Sequence, residues 1–409
     1  MPTDLPGNGL SRRQHRIIRA HLAFIPVYVW LLYVWPVFFT QLPTRATADQ
    51  PHLVRDFLHF YVQGELTRQR DAHALYDIDA MAAAAERVLP GVPKNIFPPV
   101  YGPQVGLFFA PLSRLDYLPA LYLWLALTLV GTAASVYLVW RSSEVLRRHT
   151  WQVAALALGA PGLHFALSFG QASVLGLVCF TWLWLALRSK HHVVAGLAVG
   201  ALAYKPQLGI VLACVFVMRR EWRIVSGAAV GVVLQLLAAW AYWGASIFQG
   251  YLRALASLPG VFDAMEPDKD LAYSLRALFI ALHCSPAVAL SLSLVSSVVV
   301  VAFAVVAWRP QGALSLRYAG VVLATLLVNP HLYGYDLLLA LPAMLLAGAW
   351  AWEQGERLRF VSTLLVYAAP IVTFVVPGPP LLTPLALAGA TAWTLGQSFL
   401  PRSEPHQVR

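Results

Sequence analysis

The sequence predicts an all-α polytopic membrane protein, a bundle of about twelve transmembrane helices with juxtamembrane helices, built as a single integral membrane domain over 1–409. Three observations predict it. The chain is 59% apolar and only 12% charged, with a mean hydropathy of +0.64, whereas soluble domains carry about a quarter charged residues. Apolar runs of roughly 17 to 24 residues recur to the C-terminus, long enough as helices to cross about 30 Å of hydrocarbon. Those runs are continuous rather than alternating, which excludes a β-barrel.

The net charge is +10 and the sequence pI about 9.7. No basic face sits on a soluble domain, so this charge reads as membrane anchoring and not as nucleic-acid binding. Cys179, Cys214 and Cys284 lie in or beside apolar runs without metal-ligand spacing, so neither a disulfide framework nor a zinc site is indicated.

Arg12, Arg13, Arg16 and Arg19 lie before or at the start of the first apolar run, about Ile17 to Thr40, which is too long for a cleavable signal and reads as a retained anchor with a cytoplasmic N-terminus. A first extracytoplasmic loop, 41–99, follows. It holds a helix over His52 to Gln63, expected to turn Leu53, Phe57, Phe60 and Tyr61 to one side and Asp56, His59 and Gln63 to a wet face. A turn at Leu75-Tyr76-Asp77, a second helix over Ala80 to Leu89 and Phe97-Pro98-Pro99 complete the loop. Val100 to Leu112 is too short to span and reads as interfacial or re-entrant.

Spans are then expected at 117–140, 151–168, 172–188, 193–205, 207–218, 224–243, 287–308, 317–329, 335–351, 358–376 and 383–400. A second long extracytoplasmic loop, 244–286, carries a half-helix over Ala272 to Cys284. The spans flanking Lys205 are short and read as broken helices. This layout puts every short inner loop in a basic stretch: Arg141 with Arg147 and Arg148, Arg188 with Lys190, Arg219 with Arg220 and Arg223, Arg309 with Arg317, Arg357 with Arg359, and the C-terminal Arg402 and Arg409. It also brings Asp56, Gly170-Gln171, Lys205 and Asn329-Pro330-His331 to the outer face, a convergence not used in making the assignment.

Charged groups at or within apolar segments are costly and therefore candidates for function. Asp56, at a boundary between apolar and wet surroundings, suits a general base toward a hydroxyl. Lys205 in Tyr204-Lys205-Pro206-Gln207 is either a snorkelling lysine or a cation facing a lipid phosphate. Gln171 follows a turn glycine and offers amide donors and an acceptor. The segment Asn329-Pro330-His331-Leu332-Tyr333-Gly334-Tyr335-Asp336 is richer in polar groups than a hairpin needs. His331 suits donation to a phosphate oxygen or orientation of a sugar. Asp336 suits holding His331 or standing at a helix N-terminus. Asp77-Ile78-Asp79 and Asp268-Lys269-Asp270 have the spacing of metal-binding acid pairs, but such triplets are common in loops; no metal and no cofactor is expected. No phosphate-cradling glycine loop or nucleophile elbow is present.

Taken in order, Arg55-Asp56-Phe57, Leu75-Tyr76-Asp77, Phe97-Pro98-Pro99-Val100-Tyr101, Ala110-Pro111-Leu112, Gly170-Gln171, Lys205-Pro206-Gln207, Asn329-Pro330-His331 and Tyr335-Asp336 resemble the motifs of glycosyltransferase family 87. That family includes α-1,2-mannosyltransferases that use polyprenyl-phosphate-mannose. The resemblance implies a GT-C fold, a catalytic acid in the first extracytoplasmic loop, a polyprenyl-phosphate-sugar donor and inversion at the anomeric carbon. Asp56 occupies the position of the catalytic acid. Lys205 and His331 match positions near the donor phosphate, with Gln171, Asn329 and Tyr335 as further donor-binding candidates. Arg55, His59, Asp77, Tyr101 and Asp336 are supporting candidates. The family's usual Tyr-Pro-Pro is Phe97-Pro98-Pro99 here, so a role for that hydroxyl is not carried over.

The expected activity is transfer of a hexose, mannose by family weight, to a hydroxyl of a glycolipid or glycan acceptor at the outer face of a bacterial inner or plasma membrane. Two rivals share the features: a lipid-linked sugar flippase, which broken helices and intramembrane charges also suit, and a glycan ligase or polymerase using a lipid-diphosphate donor. Against the flippase, the two halves show no repeat and the polar groups collect on one face.

Overall fold

The computed structural model describes residues 27–28, 31–45, 55–91, 101–261, 272–354 and 381–399. The N-terminal arginines, His52 and Leu53, the side chain of Arg55, Phe97-Pro98-Pro99, Asp268-Lys269-Asp270 and the span expected at 358–376 lie outside the described residues.

Helix α1 (Leu31–Thr40) is followed by two helices of the first loop, α2 (Arg55–Arg68) and α3 (Ile78–Val88), and by the short α4 (Gln104–Phe109). The long α5 (Tyr117–Ser142) leads through α6 (Glu144–Arg148) to α7 (Thr150–Leu158) and α8 (Pro161–Phe169). Then come α9 (Ser173–Arg188), α10 (His192–Ala201), α11 (Gln207–Met218) and α12 (Trp222–Trp243). Helices α13 (Ser246–Val261) and α14 (Leu275–Ala281) fall in the second long loop. The chain continues as α15 (Pro286–Ala307), α16 (Leu314–Val328), α17 (Leu341–Glu353) and α18 (Leu382–Gln397). Among the described residues no strand forms; one isolated antiparallel bridge joins Ala272 to Tyr333.

Among the described residues, five segments are long and apolar enough to cross a membrane: Tyr117–Ser142, Thr150–Phe169, Trp222–Trp243, Pro286–Ala307 and Gly334–Glu353. Leu31–Thr40, Ser173–Arg188, His192–Tyr204, Gln207–Met218 and Leu314–Val328 are shorter apolar helices. The all-α polytopic architecture therefore holds, while the described helices do not establish a count of twelve. Gly334–Glu353 is 94% buried and forms the centre, whereas Trp222–Trp243 and Pro286–Ala307 are 17% buried and present apolar flanks outward.

Several helices are broken as their sequence dictates. Pro161 opens α8 where its missing N–H costs nothing. A 3₁₀ turn over Leu202–Tyr204 and Pro206 separate α10 from α11. Gly334–Ala340 is 3₁₀ before α17 continues from Leu341. Irregular backbone of this kind is tolerated at membrane depth only where protein or a wet cavity covers it.

Successive helices run between two ends. At one end lie the arginine-bearing connections: α5 to α7, Arg188 and Lys190 before α10, Arg219 and Arg220 before α12, and Arg309 before α16. At the other lie Gly170-Gln171 between α8 and α9, Lys205 between α10 and α11, and residues 329–336 between α16 and α17. The first loop docks onto this second end: the Trp124 indole of α5 donates to the carbonyl of Gly170, 3.0 Å away, and Phe57 of α2 packs 5.7 Å from Tyr117.

One expectation is overturned here. Helix α2 was expected to keep His59 and Gln63 on a wet face, but both are buried, along with Phe57, Phe60 and Val62. The helix is enclosed by α3, α4, α5 and α8, and Phe60 stacks on Phe109 at 4.9 Å. Polar spacing marks a distinct face, but neighbouring helices decide whether that face meets water. Of the segment expected at Val100 to Leu112, the described part from Tyr101 forms no helix of membrane length: it resolves into α4 and a 3₁₀ turn from Leu112.

Candidate active site

Asp56 stands in the first turn of α2, half-buried. Gln171 Nε2 donates to its Oδ2 at 2.7 Å, across 115 residues of sequence. The turn that delivers Gln171 is a Schellman motif. The Gln171 N–H bonds Ala166 O at 2.9 Å, the Gly170 N–H bonds Leu167 O at 3.2 Å, and Gly170 is left-handed at φ +66°. Glycine is needed twice over there, because a Cβ would also stand 2.6 Å from the Cβ of Phe57. The close approach of Gly170 to Phe57 is what brings Gln171 to Asp56.

The Gln171 amide is itself held. Its Oε1 accepts from the Ala172 N–H at 3.0 Å and from the Tyr101 hydroxyl at 3.4 Å. Tyr101 lies just before α4, with its ring 5.1 Å from Phe60, and its carbonyl accepts from the Tyr76 hydroxyl at 3.1 Å. Burial first, then the charges of Asp336 and Asp56, push the Tyr101 hydroxyl well above the usual phenol range, so it stays protonated and donates.

Behind this pair lies a buried ion pair. Lys205 Nζ is 2.7 Å from Asp336 Oδ1 and 2.8 Å from Oδ2, and Ser173 Oγ donates to Oδ1 at 3.3 Å. Lys205 comes from the α10–α11 break, Ser173 from the start of α9, and Asp336 from the first turn of the central 3₁₀ segment. The segment approaches α8 closely at Gly162, where a Cβ would lie 2.1 Å from Leu338 N. The lysine also lies 5.3 Å from the ring centroid of Tyr335. Both Asp56 and Asp336 are within electrostatic reach of the Tyr335 hydroxyl.

From Tyr335 a row of rings leads to His331. Tyr335 and Tyr333 stack at 5.6 Å, and Tyr333 is 4.7 Å from His331. Asn329 Oδ1 accepts from the His331 N–H at 3.1 Å, which sets the loop; Asn329 Nδ2 is buried with no hydrogen-bond partner among the described residues. The second long loop braces the row, the Tyr273 N–H donating to Leu332 O at 2.7 Å.

The structure thus joins Asp56, Gln171, Tyr101, Tyr335, Lys205 and Asp336 in one cluster, with His331 and Asn329 at its far side. His59 lies one turn beyond Asp56, next to Gln63, with Nε2 to Nε2 at 2.9 Å. Burial lowers its pKa to about 4, so it is neutral. Asp77 does not join: it is exposed and caps α3, its Oδ1 accepting from the Ala80 N–H at 2.9 Å. Its spacing to Asp79 is that of an N-cap and a first-turn acid. Among the described residues, no group of three or more His, Cys, Asp or Glu side chains is placed to share a metal. The carboxylate of Asp336, expected either to hold His331 or to stand at a helix N-terminus, lies in the first turn of the 3₁₀ segment and is engaged by Lys205 and Ser173. Ser173 was missed by sequence reasoning because a serine at a helix start has ordinary capping chemistry. The ion pair had a signal: two opposite charges in apolar surroundings call for each other.

A family model described as Glycosyltransferase family 87 matches residues 100–330. No curated protein and no solved structure matches the chain. The matched stretch contains Tyr101, Gln171, Lys205 and Asn329, ends immediately before His331, and covers more than half of the 409 residues. With an all-helical bundle carrying spans apolar enough for a membrane, the chain belongs to glycosyltransferase family 87 and is a membrane glycosyltransferase.

Proposed function

We propose that the protein transfers a hexose, mannose by family weight, from a polyprenyl-phosphate-sugar to a hydroxyl of a glycolipid or glycan, with inversion, by a GT-C mechanism. The observation that carries this reading is the half-buried Asp56 carboxylate, oriented by Gln171 beside the cluster that holds Tyr335 and Lys205. An acceptor hydroxyl approaching Asp56 loses its proton to the carboxylate as its oxygen bonds to the anomeric carbon. The bond from that carbon to the phosphate oxygen breaks on the opposite side, and the electron pair leaves with the lipid phosphate. A phosphate leaving group needs no proton, so one carboxylate suffices where a glycosidase uses two. On this reading the lipid-linked sugar is a co-substrate and no further cofactor is required.

Charge develops on the departing phosphate, and preorganised donors are worth about 3 kcal/mol each there. His331 is one candidate. Lys205 is the other: its ammonium has three N–H groups, and the two oxygens of Asp336 engage it at 2.7 and 2.8 Å. Asn329 Nδ2, buried without a hydrogen-bond partner among the described residues, suits a sugar or phosphate oxygen. The apolar flanks of the bundle suit the prenyl chain and the surrounding lipid.

The arginine-bearing connections lie at the end away from the cluster, which by the positive-inside rule supports a site on the extracytoplasmic face of a bacterial inner or plasma membrane, with both termini cytoplasmic. The testing experiment is incubation of purified protein with a panel of labelled polyprenyl-phosphate sugars and a membrane lipid extract. Label passing into a new glycolipid is the expected outcome. Label entering sealed vesicles without covalent product would sink the transferase reading in favour of a flippase.

A further inference from the structure

We propose that Gln171 is a positioning residue for Asp56, a one-way donor that holds the carboxylate ionised and aimed, and not a ligand of the donor sugar. This rests on the reading of Asp56 as the base.

Three contacts determine what the Gln171 amide can do. Its Oε1 accepts from a backbone N–H, that of Ala172, at 3.0 Å, and a backbone N–H cannot reverse its role. The Tyr101 hydroxyl approaches the same oxygen at 3.4 Å. The amide is therefore not free to flip, and only Nε2 faces Asp56, at 2.7 Å from Oδ2. An NH₂ group donates and never accepts. A fixed donor at this distance stabilises the carboxylate relative to the carboxylic acid. Donation into Oε1 also polarises the amide and strengthens the bond it gives. Gln171 is buried, and its backbone is tied into the Schellman turn, so the bond is preorganised rather than formed on substrate arrival.

The titratable and charged groups on the surrounding elements have the following partners among the described residues. His59, one turn along α2, is neutral and bonded to Gln63. Tyr101 acts through Gln171, and Tyr335 borders the cluster. Lys205 is bound to Asp336, so the pair contributes little net charge. Tyr117 on α5 packs its ring on Phe57, and His164 on α8 packs on Phe38 and Phe165. Asp79, Glu86 and Arg87 of α3, with Glu65 and Arg68 of α2, belong to later turns of the loop, Arg87 pairing with Glu65.

The test is the pH profile of kcat/KM for Gln171→Leu and Gln171→Glu in the full-length protein with a polyprenyl-phosphate sugar as donor. Asp56 must be ionised to act, so the acidic limb reports its protonation. Loss of the donor in Gln171→Leu is expected to move that limb to higher pH by about one unit, a roughly tenfold loss at a fixed pH on the limb. Gln171→Glu, close in shape, places a second carboxylate against the first and is expected to move the limb further up, because two carboxylates in contact do not both ionise. The donor KM should stay within about twofold, since a base acts on kcat. An unmoved limb in Gln171→Glu, or a loss confined to the donor KM, overturns the positioning role. Asp56→Asn separates the two readings. If it keeps activity, the base assignment itself fails; if it is inactive while the limb of Gln171→Glu stays put, only the present inference fails.

Discussion

Lys205 and Asp336 are 131 residues apart in the chain, yet the ammonium of one lies 2.7 and 2.8 Å from the two carboxylate oxygens of the other, both side chains being withdrawn from solvent. Breaking a buried pair from one side leaves an uncompensated charge and costs about 3–5 kcal/mol, whereas replacing both partners by apolar residues of similar size is often neutral. Lys205→Ala and Asp336→Ala should each lower the unfolding temperature of the detergent-solubilised protein sharply. Lys205→Met with Asp336→Leu should recover most of that stability and still lack activity. Additive losses in the double variant would show that the two charges are not coupled.

Asp56→Asn removes the proposed base and leaves a side chain of nearly the same shape. Transfer should fall at least 10²-fold, the low end of what a positioned base contributes, with membrane insertion and thermal stability unchanged. Near-normal turnover with donor lipid supplied would falsify the base assignment.

Gly170→Ala should damage the site without touching its chemistry. The position is left-handed at φ +66°, and the new Cβ would meet Phe57 Cβ at 2.6 Å. Strain and the clash together are expected to cost about 2 kcal/mol or more. Asp56 follows Phe57 and Gln171 follows Gly170, so turnover should drop with stability; a stable variant of full activity would show that this contact does not set the site.

His331→Ala should reduce transfer by about 10²-fold if the imidazole stabilises the departing phosphate. The loss should appear in steps that use the donor, measured as donor KM and kcat, with acceptor KM little changed. Equal loss on donor and acceptor would instead mark His331 as a brace for the Tyr333–Tyr335 row.

His59 makes stability pH-dependent. Burial lowers its pKa from 6.5 to about 4 in the folded protein. Between those values the unfolded chain binds the extra proton, so stability is fully present above pH about 6.5 and is lost as pH falls toward about 4. Unfolding temperatures taken across that window should decline with acid, and His59→Gln should flatten the slope. A decline of the same size in the variant would assign the effect to other groups.

Much of the scaffold was legible from composition and span length. Tyr117–Ser142, Trp222–Trp243 and Pro286–Ala307 formed where apolar runs of membrane length required them. The non-spanning character of Val100 to Leu112 followed from its prolines and its shortness. The broken helices around Lys205 were readable from Pro206 and the short flanking runs. The candidate list was legible too, because intramembrane polar groups are few and each one stands out.

Pairings were less legible. Asp336 read as a holder of His331 or a helix N-terminal acid, and Lys205 as a snorkelling lysine or a cation facing a phosphate; the fold brings them to each other. Gln171 read as a donor-binding candidate and Asp77 as a supporting one; the fold sets the Gln171 amide on Asp56 and Asp77 at a helix cap. The sequence by itself determined that this is an all-helical membrane protein and which residues carry charge and amide groups where burial is costly. Only the tertiary structure decided which of them meet, because helix packing at Gly170 and Gly162 sets the distances among segments more than a hundred residues apart. A hydrogen bond or ion pair exists only within a few tenths of an ångström of its proper length, and no local pattern in the chain encodes a distance of that kind.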